Sequence, residues 1–154
     1  MAGLYLEQFQ LQQTFDHEIR RTVTEADNVW FCGATYNPAQ IHIDHDYCRQ
    51  TEFGQPLINS IFTLGLIIGL SIQDTTLGTT IANLGMTDVR FPKPVFAGDT
   101  LRARTTVEAV RDSQSRPNAG IVTFRHEGFN QRNELVCTLQ RQALMLRQPQ
   151  ETSA

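Results

Sequence analysis

The chain has 154 residues, enough for one hydrophobic core and few for two, so a single domain over residues 1–154 is expected. A formal charge of −3, with acids and bases interspersed, leaves no basic stripe for a nucleic-acid backbone and no polybasic patch for a membrane surface. Cys32, Cys48 and Cys137 are an odd set without CxxC spacing, and no apolar segment near Met1 resembles a signal peptide, which points to reduced thiols and a cytoplasmic location.

Residues 1–12 are expected to form a loosely held arm, followed by a short strand near Phe15 to Thr22. Thr24 is placed to accept from the first-turn amides of a helix. Asp27, three residues on, can reach back as in a capping box. That helix is expected to bury Val29, Trp30 and Cys32 as one stripe and to stop near Gly33, before Pro38. After His42, "IDHDYCRQTEF" reads as a turn and a short helix capped by Asp44.

The run from Ser60 to about Ile72 is apolar all round, yet too short for a bilayer, which needs roughly 20 residues. It reads as a buried helix whose Gly65 and Gly69, four apart on one face, let it lie close to whatever covers it. The second half changes character. "TTIANLGMTDVRF", "TLRARTTVEAVRD", "GIVTFRHEGFN" and "ELVCTLQRQALMLR" are strand-length runs rich in β-branched residues, joined by Pro, Gly, Asn and Ser turns. The tail, residues 148–154, is polar and expected to fray. Helices first and then linked strands predict an α+β fold, a curved antiparallel sheet with the apolar helix lying across it.

Three segments carry a resemblance: "RTVTEAD" at 21–27, "IHIDHDYCRQTEFGQPLINS" at 41–60 and "VRFPKPVFAGDTL" at 89–101. From about Tyr5 to Arg147 the chain resembles the MaoC-like dehydratases, the hot dog fold group that includes (R)-specific enoyl-CoA hydratases. "TYNPAQIHID" is similar to a subgroup linked to hydration of short branched or C5 dicarboxylic acyl-CoA esters, such as mesaconyl-CoA or itaconyl-CoA. The resemblance implies a sheet wrapped around a long central helix and a homodimer or dimer of dimers with its active site at the subunit interface. It also implies an acyl-CoA thioester substrate beside that helix, with coenzyme A entering only as part of the substrate and no further cofactor. The family's usual pair is D-x-x-x-x-H. Counted back from His42, the Asp position is Asn37, so the His carries over and the Asp does not.

Hydrating an α,β-unsaturated thioester needs a group that takes a proton from water, a group that delivers one to the α carbon, and donors for the enolate-like oxygen. His42 can both accept and donate a proton near neutral pH; its alternative is a hydrogen-bonded structural histidine in a turn. Asn37 is no base. It either orients the water or the acyl carbonyl, or makes an Asx-type turn before Pro38. Asp44 is the nearest candidate acid, although an Asp in this position is more often a helix cap, and Tyr36 is a further candidate donor.

Asn59 and Ser60 open the central helix, where the family has His-Gly. The Ser60 backbone amide can hold an oxyanion whatever its side chain, or both residues merely cap the helix. "HIDHD" invites a metal reading through His42, Asp44 and His45 but lacks a ligand spacing, and no metal is expected. Arg90 and Arg116 either contact coenzyme A phosphates or a substrate carboxylate, or are solvated strand-end arginines. Two competing readings remain: a hot dog thioesterase that expels the thiol, and a non-catalytic acyl-CoA-binding subunit that has lost its acid.

Overall fold

The β-branched runs of the second half become four long strands, and a computed structural model describes them with the rest of residues 3–149. Strands β1 (Thr14–Thr22), β2 (Thr80–Arg90), β3 (Thr100–Asp112), β4 (Ala119–Phe129) and β5 (Leu135–Leu146) form one antiparallel sheet in the order β1-β3-β4-β5-β2. Along β3, buried Leu101, Ala103, Thr105 and Val107 alternate with partly exposed neighbours, the period-2 signature of a sheet covered on one side.

The cover is helix α4 (Ser60–Thr75), which follows α1 (Glu25–Ala34), α2 (Gln40–Ile43) and α3 (His45–Arg49). Its buried residues Thr63, Ile67, Leu70, Ser71 and Thr75 recur at helical spacing and face the sheet. Ile67, fully buried, is seated on Gly128, where an added Cβ would fall 2.5 Å from its side chain. A larger residue there would overpack the centre of the fold, at a cost of about 1–3 kcal/mol.

Three expectations are corrected. Residues 3–12 are not a loose arm: Gly3 and Leu4 donate backbone hydrogen bonds to Leu77 and Thr75, and Leu6 and Phe9 are buried against Val122, Phe124 and Met145. At the other end Gln148 donates its backbone N–H to Glu7, while residues 1–2 and 150–154 of the expected arm and tail lie outside the described residues. Two aromatic or aliphatic anchors outweigh the polar residues between them.

In α1, Val29 and Trp30 are 50% and 70% exposed, and the buried face is Asn28 with Cys32 instead. Gly65 and Gly69 do not face a close neighbour either, since a Cβ at each would meet nothing within 4 Å. α4 buries the opposite stripe, where the sheet lies.

Candidate active site

The site is built where α1, α2 and the start of α4 meet. The capping box expected of α1 is present: the Thr24 hydroxyl accepts from the Asp27 amide at 3.2 Å, and the Asp27 carboxylate accepts from the Thr24 amide at 2.8 Å. This aims Asn28, 2% exposed, into the junction. Its Nδ2 donates to the carbonyls of His42 and Leu57 at 2.8 and 2.9 Å, and its Oδ1 accepts from the Asn59 amide at 2.8 Å. One side chain thus ties three segments of the site together. Sequence reasoning passed it over, although Asn28 and Cys32 are four apart and share a helix face. Asn28→Ala leaves two carbonyls and one amide short of partners, and should cost about 2–4 kcal/mol of unfolding free energy in urea titration.

His42 sits on the single-turn helix α2 rather than in an open turn, half-buried. Its Nδ1 lies 2.9 Å from the Leu57 carbonyl oxygen. A carbonyl only accepts, so Nδ1 carries the proton and Nε2 presents a lone pair. The same contact orients the ring and steadies an imidazolium when one forms. Leu57 is itself held in place by a β-bridge to Phe96 and by the hydrogen bond its backbone N–H donates to the Ile41 carbonyl.

Ser60 is the first residue of α4, exposed, on the wall of a cavity of about 230 Å³ shared with Leu57, Thr63, Phe91, Val95 and Val136. Asn59 is the cap: its Oδ1 accepts from the Ile61 amide at 2.9 Å, which leaves the Ser60 amide at the positive end of a 16-residue helix. His42 and the cavity therefore share Leu57, whose carbonyl binds the imidazole while the residue lines the cavity.

The remaining candidates separate. Asn37 accepts from the Ala39 amide at 3.0 Å, an Asx turn over Pro38, and lines an exposed trough with Val29, Cys32, Tyr36 and Ile43. Tyr36 is 95% exposed with φ of 54°. Asp44 caps α3 by accepting from the Tyr47 amide at 2.9 Å, and that hydrogen bond holds its carboxyl below the usual range.

His45 pairs with Glu25 at 2.7 Å, so the three residues of "HIDHD" do not converge, and among the described residues no cluster of three potential ligands forms. Arg90 ends β2 in a surface groove with Arg125 and Glu108. Arg116 lies in the turn joining β3 to β4, at the far end of β3 from the Val95 side of the cavity, so the two arginines do not address one ligand group. Cys137, under Ile67, has its thiol pushed up to about 12 by burial and is no nucleophile at neutral pH.

Among known proteins, the chain is 30% identical over 135 residues to mesaconyl-CoA hydratase of Cereibacter sphaeroides, an alignment that takes in 88% of this chain and 39% of that protein. The chain thus spans about two fifths of that relative's length. A solved structure titled a monoamine oxidase regulatory protein from Archaeoglobus fulgius superposes with a TM-score of 0.85 at 32% identity, covering 97% of this chain and 98% of that one. A Mycobacterium tuberculosis protein described as having a double hotdog fold superposes at a TM-score of 0.86 and 24% identity, with this chain covering 47% of it. The MaoC like domain matches residues 8–128, strand, site and central helix included, and to that family the chain belongs.

Proposed function

We propose that this chain is an acyl-thioester hydratase or dehydratase, adding water reversibly across the α,β double bond of an enoyl-CoA. The observation that carries the reading is His42, which gives Nδ1–H to the carbonyl of Leu57, itself a residue of the cavity wall at the start of α4, and so keeps its lone pair on Nε2. In the forward direction Nε2 takes a proton from water as the oxygen attacks the β carbon. The C=C electrons move onto the thioester oxygen, which the Ser60 amide and the α4 dipole stabilise. The imidazolium then returns its proton to the α carbon, and the thioester carbonyl re-forms. Every electron pair stays within substrate and water, so the reaction calls for no redox cofactor, and coenzyme A arrives with the substrate.

The substrate proposed is a branched or dicarboxylic acyl-CoA, supported by the similarity to a mesaconyl-CoA hydratase. We expect a C5 dicarboxylic enoyl-CoA to be hydrated faster than straight-chain crotonyl-CoA, followed by loss of the conjugated double bond's absorbance. Equal or reversed rates would remove the narrowing, and release of free thiol instead of hydration would favour the thioesterase. Asn37 in place of Asp favours one further reading, a non-catalytic acyl-CoA-binding subunit. Tight enoyl-CoA binding with no turnover would establish that.

We further propose a cytoplasmic homodimer. Strand β2 is a sheet edge with Leu84, Met86 and Val89 at 48%, 37% and 37% exposure, and a related fold carries two such units in one chain. A second copy against that edge should bury about 1,200 Å² or more, so light scattering at micromolar concentration should give twice the monomer mass. A monomer would refute it.

A further inference from the structure

The cavity at the start of α4 has a buried floor and an exposed rim, and the hydration chemistry uses only the part near Ser60. Ile58, Thr63, Val95 and Val136 are buried and form the floor, while Phe91 and Lys93 stand exposed on the rim. Among the described residues that line the cavity, Lys93 alone carries a charge. Of the 13 lysines and arginines in the chain it is the one lysine.

The backbone fixes the side to which Lys93 belongs. Past the end of β2, Phe91 and Lys93 line the cavity while Arg90 and Pro92 line the separate groove that holds Arg125, so the two-residue alternation of a strand carries on beyond the sheet. Pro92 and Pro94 stiffen the segment, since each locks its own φ and restricts the residue before it.

No ion pair among the described residues takes up the ammonium, whereas Arg21, Arg49, Arg104 and Arg132 each hold an acid. Glu134 feels its charge, yet that carboxylate already accepts from Asn130 Nδ2 at 2.7 Å and from Arg132 Nε at 2.9 Å, and these two do most to hold it below the usual range. Lys93 is thus an uncommitted cation at the mouth of a mostly apolar cavity, whose low-dielectric walls strengthen its pull on an anion.

We propose that Lys93 is the phosphate grip for a 4′-phosphopantetheine arm, the group that coenzyme A and acyl carrier proteins share, with Phe53 and Phe91 as the apolar walls between which the arm enters. The inference rests on the hydratase reading and adds to it the residue that holds the carrier. A cavity of about 230 Å³ is roughly 8 Å across and a lysine side chain adds roughly 6 Å, so the ammonium meets an anion about 14 Å from a thioester at Ser60. The chain of about 13 bonds from the thioester sulfur to the phosphorus spans roughly 16 Å when extended, and a slight bend closes the difference. An ammonium on a flexible stem suits one phosphate, because it acts as a point charge and needs no planar fork.

The test compares enoyl thioesters of one acyl group on pantetheine, 4′-phosphopantetheine, coenzyme A and an acyl carrier protein, with the wild type, Lys93→Met and Lys93→Arg. The quantity read is the ratio of kcat/KM for phosphopantetheine over pantetheine. It should be about tenfold or more in the wild type, fall towards one in Lys93→Met chiefly through KM, and be largely kept in Lys93→Arg. A ratio that Lys93→Met leaves unchanged overturns the proposal. So does a loss confined to the step from phosphopantetheine to coenzyme A, since Lys93 would then read the nucleotide. An equal loss with coenzyme A and carrier-protein thioesters upholds the grip, and the faster of the two on the wild type names the source.

Should the wild type hydrate no thioester, the hydratase reading fails by itself, and chemical labelling decides. Because Lys93 is the only lysine, acetylation by an N-hydroxysuccinimide ester, followed by mass spectrometry of its peptide, reports one side chain. Saturated butyryl-phosphopantetheine should slow that acetylation several-fold, and butyryl-pantetheine should not. Equal protection by both, or protection by neither, overturns the grip.

Discussion

Replacing His42 by alanine should lower turnover of an enoyl thioester by a factor on the order of 10² to 10⁴, the usual worth of a positioned acid or base. Binding should survive, since the cavity wall of Leu57, Ser60 and Val136 contains no atom of His42. The fold should survive as well: the Leu57 carbonyl that His42 engages keeps its bond from Asn28 Nδ2 at 2.9 Å. A folded, ligand-binding His42→Ala protein with full hydratase activity would end the mechanism and return His42 to a structural role.

Asn37 supplies the companion measurement. Its Oδ1 already serves the Ala39 amide, and an Asp in its place keeps that acceptor. Asn37→Asp should therefore fold normally, and activity should persist or rise with a new acidic limb in the pH profile. A fall in rate would mean that another carboxylate already serves the site and is raised by the added charge.

Acid should destabilise the fold well above the pH at which carboxylates protonate, and His126 is the reason. Burial first, then Arg141 and His17, lower its pKa from 6.5 to about 3. A base whose folded pKa is depressed binds its proton more readily when unfolded. Its contribution is complete above pH 6.5 and is lost as pH falls from there towards 3, at about 1.4 kcal/mol per unit. Between pH 7.5 and 5 the unfolding free energy should thus drop by about 2 kcal/mol from this group.

Only below that range do carboxylates held low add losses of their own, Asp16 by Arg104 and Asp27 by Arg21 and Thr24. Urea titrations at the two pH values measure the drop. His126→Gln, which keeps a donor and an acceptor but cannot titrate, should remove most of it. The same slope in both proteins would show that His126 is not the group responsible.

The helix-and-strand plan was legible because it rests on local rules. Thr24 with Asp27, Asp44 before α3 and the β-branched runs of β2 to β5 act over a few residues, and the structure honours each one. The roles proposed for His42 and Ser60 also start in the sequence, one from a family pattern and the other because a helix start has unpaired amides whatever its side chain.

Tertiary packing alone decided which faces are buried. α1 turns Asn28 inward and Trp30 outward because the junction of His42, Leu57 and Asn59 needs three hydrogen bonds that only a buried amide supplies. Leu6 and Phe9 leave solvent because Phe124 and Met145, more than a hundred residues away in sequence, present an apolar seat. The same long-range pairing brings Asp74, His17, Thr105, His126 and Arg141 together from α4 and four strands. No window of the sequence contains them all. Their meeting is set by strand register, and register is a property of the whole sheet.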